Sequence, residues 1–437
     1  MSDSAGQIDA GRAMHDLAKT LFPICRSLTG DGTRRTLRAI QAELPGLTIH
    51  EVPSGTQVFD WTIPDEWNIK SGRLIGPDGE TVADFAWHNL HVVGYSEPVD
   101  VTLSLEELQP HLHSLPDQPE AIPYVTSYYR RYWGFCLPHR VRAALKPGQY
   151  RAVIDSSLAP GSLSYGELLL PGESEEEIFL STYVCHPSMA NNELSGPMVA
   201  TWLAKWLAGE KRRYSYRIVF IPETIGSITY LSRNLAAMKE RIVAGFNISC
   251  IGDERAYSYL PSRAADTLAD RVVRHVLGHI DPDYIRYTWL DRGSDERQYC
   301  APGVDLPVAS LMRSKYGEYP EYHTSLDDLE LVTPAGLAGG LAALRQCIEL
   351  LEANHHWRVT VLGEPQLGKR GLYPNISVVG GAHPVQTMMD LITFADGTND
   401  VIAIADRIGV PASDLLPICA RLASHGLFEA VDPPAAR

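Results

Sequence analysis

Residues 181–197 read STYVCHPSMANNELSGP. An apolar run ends at Val184 and is followed at once by His186, the amides of Asn191 and Asn192, the carboxylate of Glu193, and Ser195-Gly196. A buried strand that ends in such a polar corner and then opens a helix is one unit of an α/β sheet. The same alternation runs on through the chain. EIFLSTYV (177–184) predicts a strand and GPMVATWLAKWLAG (196–209) a helix; YRIVFIP (216–222) and ITYLSRNLAAMKER (228–241) repeat the pair. VAGFNISCIG (243–252), LADRVVRHVLGHI (268–280) and LPVASLM (306–312) continue it, and TPAGLAGGLAALRQCIELLEA (333–353) closes it with a long helix. The fold class expected is α/β, an open mixed sheet flanked by helices.

Upstream the texture differs. Residues 9–44 have helical periodicity, with Met14, Leu17, Leu21 and then Leu37, Ile40, Leu44 in phase. From about 50 to 170 the chain breaks into short β-type pieces separated by Gly, Pro and Asp, with Asp78-Gly79 as a hairpin turn. The aromatic run YYRRYWGF (128–135) is a β-domain core or a pocket wall. Downstream, the loop-rich 363–381 precedes three helical patterns and the tail FEAV, which together suggest a winged helix. The organisation expected is therefore a catalytic domain from 1–50 and 171–362, an inserted β-rich domain at 51–170, and a linker with a winged-helix-like module at 363–437.

Bulk properties narrow the partners. With 437 residues the chain is long enough for two or three domains, and its formal net charge of −15 argues against nucleic-acid or anionic-membrane surfaces. Between Asp390 and Arg437 seven acids face three bases, the wrong sign for phosphate contacts. The module is expected to pack on the catalytic domain or on a second subunit, which leaves room for a homo-oligomer. No 18-residue apolar span and no leader-type N-terminus is seen, and seven scattered cysteines contain no C-x-x-C, so a cytoplasmic protein with reduced thiols is expected. Cys185 reads as an inert buried thiol.

Functional groups of open α/β sheets gather past the carboxyl ends of strands. Reading those loops alone yields His186 and Glu193, then Glu223 after Pro222, then Asp253-Glu254, then His323 with Asp327 and Asp328 in PEYHTSLDDLE. Each has a structural alternative: a hydrogen-bonded His, a carboxylate at a helix start, a turn cap, a surface loop. Together they suit a divalent ion, most naturally zinc, held by imidazole and carboxylate, with a further carboxylate as general base.

At these residues the chain resembles the co-catalytic zinc aminopeptidases and their glutaminyl-cyclase relatives, and more closely a bacterial aminopeptidase-like group with an inserted β-domain and a C-terminal winged helix. CHPSMANNELSG matches the family's first His and its D-N-x-S-G element, PETIGS its Glu-Glu element, GDE its Asp, and YHTSLDDLE its last His; GSDERQYCAPGVDLPVASL resembles the stretch before that His. The resemblance implies a zinc-peptidase-like fold, often found beside polysaccharide or natural-product biosynthesis. It implies His186, Asp253 and His323 as metal ligands, Glu193 as the substitute for a displaced bridging Asp, and Glu223 as the catalytic base. Two departures matter: the bridging Asp aligns with Asn192, and the second Glu of the pair aligns with Thr224. Neutral groups do not offset repulsion between two adjacent cations, so one zinc is expected, with two not excluded. Near His323, Arg313, Tyr316 and Tyr322 are candidate substrate contacts, with Arg313 also placed to pair with Glu318 or Glu321; Arg297 and Tyr299 rank below them. The implied reaction is amide hydrolysis of a small peptide or amide-containing metabolite. A non-hydrolytic acyl transferase or cyclase, and a metal-free binding protein, are the alternatives.

Overall fold

Eight strands form the large sheet, four of them the strands that the alternation predicts. In spatial order they are Thr48–Pro53, Ser162–Leu170, Ser215–Ile221, Glu177–Tyr183, Ile242–Asn247, Val308–Met312, Ser258–Leu260 and Ile285–Arg286. The computed structural model describes residues 2–128, 130–372 and 383–432, of which 2–7, 383 and 384 are described by backbone alone. The four strands from Ser215–Ile221 to Val308–Met312 are mutually parallel, and antiparallel partners flank them on both sides. Every residue of Glu177–Tyr183 is buried, as its unbroken apolar run requires of a central parallel strand. Phe179, Val219, Ile221, Tyr230 and Val308 join one core.

The helical periodicity over 9–44 resolves into two helices, Ser2–Leu21 and Asp31–Glu43, with a loop between them that carries Arg26. Ser195–Gly209 and Ile225–Arg241 follow the central strands. Gly196 is required where the first of these helices starts. A Cβ there would lie 2.3 Å from the Ile248 carbonyl oxygen and 2.4 Å from Thr182 Oγ1.

A second, antiparallel sheet of Thr81–Asp84, Glu66–Ile75, Gln149–Ala159 and Val99–Ser104 fills the β-rich stretch. Leu74, Phe135, Tyr150 and Ile154 form its core, with Trp133 packed against it. Gly79 takes φ +85 at the Asp78-Gly79 turn. Ser162–Leu170 leaves this layer and joins the large sheet, pairing with Thr48–Pro53 and Ser215–Ile221. Tyr129 of the aromatic run, and residues 373–381 of the loop-rich 363–381 segment, lie outside the described residues.

Residues 270–284 and 343–437 form a compact unit separate from 1–269 and 285–342. Within it, His356–Val359 pairs antiparallel with Asp396–Asp400 and Phe428–Val431, alongside the helices His383–Phe394, Val401–Ile408 and Ala412–Ser424. This is the winged-helix pattern expected. Asp400 caps Val401–Ile408 by accepting from Ala403 N and pairs with Arg271. Among the described residues no helix is long and apolar enough to cross a membrane.

Candidate active site

The centre is assembled by one irregular turn. Between the strand ending at Tyr183 and the helix starting at Ser195, residues Ala190–Leu194 form a single widened helical turn, a feature frequent at functional sites. Widening sends three consecutive side chains to three partners. Asn191 donates to Asp253 Oδ2 (2.9 Å), Asn192 Oδ1 meets His323 Nε2 (3.1 Å), and Glu193 Oε2 meets His186 Nδ1 (2.8 Å). Asp327 holds the turn from below, accepting from the backbone N–H groups of Asn191 (2.6 Å) and Asn192 (2.9 Å) and from the Tyr319 hydroxyl (2.9 Å).

His186 and His323 stand side by side, ring centroids 5.4 Å apart. Tyr124 packs edge-on against both at 5.3 and 5.1 Å, and Tyr322 stacks on His323 at 3.8 Å. Tyr124 comes from the β-rich segment and is fixed there by its own N–H, which donates to the His323 carbonyl (2.9 Å). Burial, then the neighbouring His186, push His323 down to about 3, so it is neutral.

Glu223 lies across from His186, its Oε2 3.7 Å from His186 Nε2. Ser294 Oγ donates to its other oxygen (2.7 Å), and burial raises its carboxyl above the usual range. Asp295 stands behind. Burial, then the charge of Glu223, push its carboxyl well above the usual range. Its Oδ1 accepts from Thr224 N (2.7 Å) and Ser227 Oγ (2.8 Å). Thr224 needs that anchor, because its φ of +62 is a strained conformation for a β-branched residue. Ser188, Cys250 and His323 also have positive φ, so backbone strain concentrates around this centre.

The expected site residues are thus placed as follows. His186, Glu193, Glu223 and His323 come together. Asp253 is buried, but both its oxygens are committed: Arg255 N and Ser314 Oγ donate to one, Ser314 N and Asn191 Nδ2 to the other, each at 2.9 Å. Arg313 lies under Tyr257, its guanidinium 4.0 Å from the ring centroid. Glu321 instead pairs with Arg255, and Glu318 with Lys315. The Tyr316 hydroxyl donates to Glu296 (2.6 Å), Arg297 donates to Thr224 Oγ1 (2.8 Å), and Tyr299 is bonded to Ser181 (2.7 Å). Tyr322 alone of the aromatic candidates touches a central histidine. No motif marks Arg26 or Tyr124, and the motif that contains Asn191 does not show that its amide meets Asp253. Ser294 and Asp295 lie inside the GSDERQYC stretch, whose sequence does not show which carboxylate they face.

The donors can be tested against zinc. Glu193 on Nδ1 turns His186 Nε2 toward Glu223; burial lowers its proton affinity, but Cys185, Tyr124 and Glu193 around it raise it well above the usual range, so Nε2 becomes a ligand when an ion displaces that proton. The 3.7 Å between Nε2 and Glu223 Oε2 is too long for a hydrogen bond and places the carboxylate beside whatever Nε2 holds. Asp253 is saturated by protein donors, and positions 192 and 224, where the zinc aminopeptidases carry carboxylates for a second ion, are neutral. His186 Nε2 and His323 are the donors left for one ion, His323 with its Nε2 on the Asn192 carbonyl oxygen. Cys185, His186 and Glu193 also bring ligand-type atoms within 4.8 Å of one another. That trio reads as a hydrogen-bonded corner, because burial pushes the Cys185 thiol up to about 11 and the buried Arg26 guanidinium lies 3.5 Å from Glu193.

Comparison with known proteins agrees with this architecture. The family described as "Domain of unknown function (DUF4910)" matches residues 15–354, and a winged helix-turn-helix family matches 355–430. Over 405 residues the chain is 45% identical to a Clostridium acetobutylicum protein described as "Putative polysaccharide biosynthesis protein with aminopeptidase-like domain", covering 92% of each. The crystal structure of a "putative peptidase" from the same organism matches with a TM-score of 0.92 at 42% identity, covering 98% of both chains. BSAP, a zinc aminopeptidase from Bacillus subtilis, matches with a TM-score of 0.56 at 13% identity, covering 78% of this chain and 93% of that one, a likeness of fold.

Proposed function

Since the chain belongs to the family described as a domain of unknown function (DUF4910) and has an aminopeptidase-like fold, we propose that it is a metal-assisted hydrolase of an amide bond in a small peptide or biosynthetic metabolite. The observation that carries this reading is the facing pair of His186 Nε2 and Glu223 Oε2, with His186 oriented from behind by Glu193. His186 and His323 would hold one zinc ion, with Glu223 beside it as the base; the ion when bound supplies Lewis-acid polarisation of the substrate carbonyl. Glu223 takes the proton of the attacking water at Oε2 and delivers it to the departing amine nitrogen. Its raised affinity for protons suits both halves of that transfer at neutral pH. Ser294 keeps Oε1 in place. Tyr124 and Tyr322 restrict water around the histidines. The role named for the Clostridium acetobutylicum relative supports a substrate from polysaccharide biosynthesis.

The test pairs elemental analysis with turnover on a panel of aminoacyl and acyl amides. Wild type is expected to hold about one zinc per chain and His186→Ala none. Glu223→Gln is expected to keep the fold and lose about 10²-fold or more in turnover. Wild-type turnover in Glu223→Gln would sink the assignment. A second reading, a metal-free binding protein, is favoured by the saturation of Asp253, and failure to take up zinc supplied in solution would select it.

A further inference from the structure

Three side chains from residues 294–297 hold the strand end that carries Glu223. Ser294 Oγ donates to Glu223 Oε1 (2.7 Å), Asp295 Oδ1 accepts from Thr224 N (2.7 Å), and Arg297 Nη2 donates to Thr224 Oγ1 (2.8 Å). Ser294 and Asp295 are buried, whereas Arg297 is exposed. Among the described residues its Nε and Nη1 meet no acceptor, and no carboxylate lies within ion-pair distance of it. Arg297 is thus a cation at the centre that touches the protein through one neutral hydroxyl.

Bracing Thr224 does not call for a cation, since a side-chain amide donates to a hydroxyl as well. The charge itself reaches the base: burial is the largest influence on Glu223 and raises its carboxyl, and Arg297 is among the groups that act in the opposite direction. Position 224 is also where the zinc aminopeptidases carry a carboxylate for a second ion. This chain keeps a fixed positive charge there without that ion. A guanidinium with open, solvent-facing donors suits a carboxylate. Because Glu223 hands its proton to the departing amine, that nitrogen must come within hydrogen-bond reach of Oε2. Arg297, held on the next residue, then faces what the amine carries, and the carboxylate of an amino acid lies one carbon from its nitrogen.

We propose that Arg297 recognises a carboxylate on the leaving-amine side of the substrate, which makes the substrate an N-acyl amino acid or a peptide cleaved at its last bond. The cleaved bond rests on the hydrolase reading; the acid rests on Arg297. Water supplies its oxygen to the acyl carbon and a proton to the nitrogen as the C–N bond breaks, releasing a carboxylic acid and a free amino acid.

Binding is measured by calorimetry on the full-length protein with zinc supplied, using N-acetylglycine as the acid probe and N-acetylglycinamide as its neutral counterpart; glycine release is followed separately. N-acetylglycine is expected to bind about tenfold or more tightly than the neutral probe. Arg297→Gln keeps a donor for Thr224 Oγ1 but removes the charge, and should erase that preference with zinc content and the urea-unfolding midpoint unchanged. Arg297→Lys, which keeps the charge, should restore part of it. Equal affinity for the two probes in wild type, or no binding of N-acetylglycine up to about 10 mM, overturns the proposal. So does a preference that survives Arg297→Gln, which assigns the acid to the metal, or a variant that weakens both probes alike, which leaves Arg297 a brace for Thr224. Acid-selective, Arg297-dependent binding without glycine release sinks the hydrolase reading and leaves the recognition site standing. Conversely, brisk hydrolysis of neutral amides with no preference for the acid removes the recognition site alone.

Discussion

Replacing Glu193 by Gln separates two roles for this residue, a ligand or an orienting group. Arg26 and Glu193 are each 0% exposed at the side chain and 3.5 Å apart. At an effective dielectric of about 20, unit charges at that distance attract by about 5 kcal/mol. Gln keeps an acceptor for His186 Nδ1 but leaves the Arg26 cation uncompensated, and breaking a buried pair from one side costs about 3–5 kcal/mol. A loss of about 3 kcal/mol is therefore expected in equilibrium urea unfolding. If the loss arises from the stranded charge, Arg26→Met combined with Glu193→Gln should recover part of it, with a coupling energy of about 2 kcal/mol. Zinc affinity should fall about 10–100-fold, the usual effect of removing a carboxylate behind a ligating histidine. Three results would refute the reasoning: stability within about 0.5 kcal/mol of wild type, no coupling with Arg26, or complete loss of zinc in a folded Glu193→Gln protein.

The remaining predictions address neighbouring groups. Asp253→Asn should retain the zinc stoichiometry while losing about 2 kcal/mol, because the new amide opposes donors already aimed at both oxygens; zinc loss at unchanged stability would restore Asp253 as a ligand. Asn192→Asp with Thr224→Glu supplies two carboxylates where a second cation would need them, and should raise the stoichiometry from about one toward two by elemental analysis. Asp327 is pushed up to about 6 by burial, so the folded chain binds its proton more tightly than the unfolded chain does. Its contribution is favourable below about pH 4 and is lost as pH rises through 6, a change of about 3 kcal/mol. Asp327→Asn should flatten the stability profile in that window, and an unchanged slope would contradict the assignment.

The elements from Glu177 to Met312 were legible because parallel strands buried on both faces must be continuous apolar runs. The winged helix was legible from helix periodicity and a terminal apolar tail, without any guide from charge. His186, Glu193, Glu223 and His323 were legible because strand ends are few and chemistry gathers there. Asp253 stood at the right strand end by the same rule, yet a strand end says nothing about what the carboxylate meets. Ser314 and Asn191 meet it, from residues 61 and 62 positions away in sequence. Arg313 looked available beside His323, and its stacking on Tyr257 was invisible for the same reason.

By itself, then, the sequence determined the layer architecture and the chemical types gathered at the strand ends, because periodicity and turn chemistry are local properties. Tertiary structure decided the division of labour among them. One widened turn at Ala190–Leu194 assigns Asn192 to His323 and Glu193 to His186, and turns a one-residue offset in a motif into two different jobs. Tyr124 and Arg26 reach the centre across 62 and 160 residues from His186. Their roles depend on burial, on unpaired donors and on distances, which exist only after distant segments pack together.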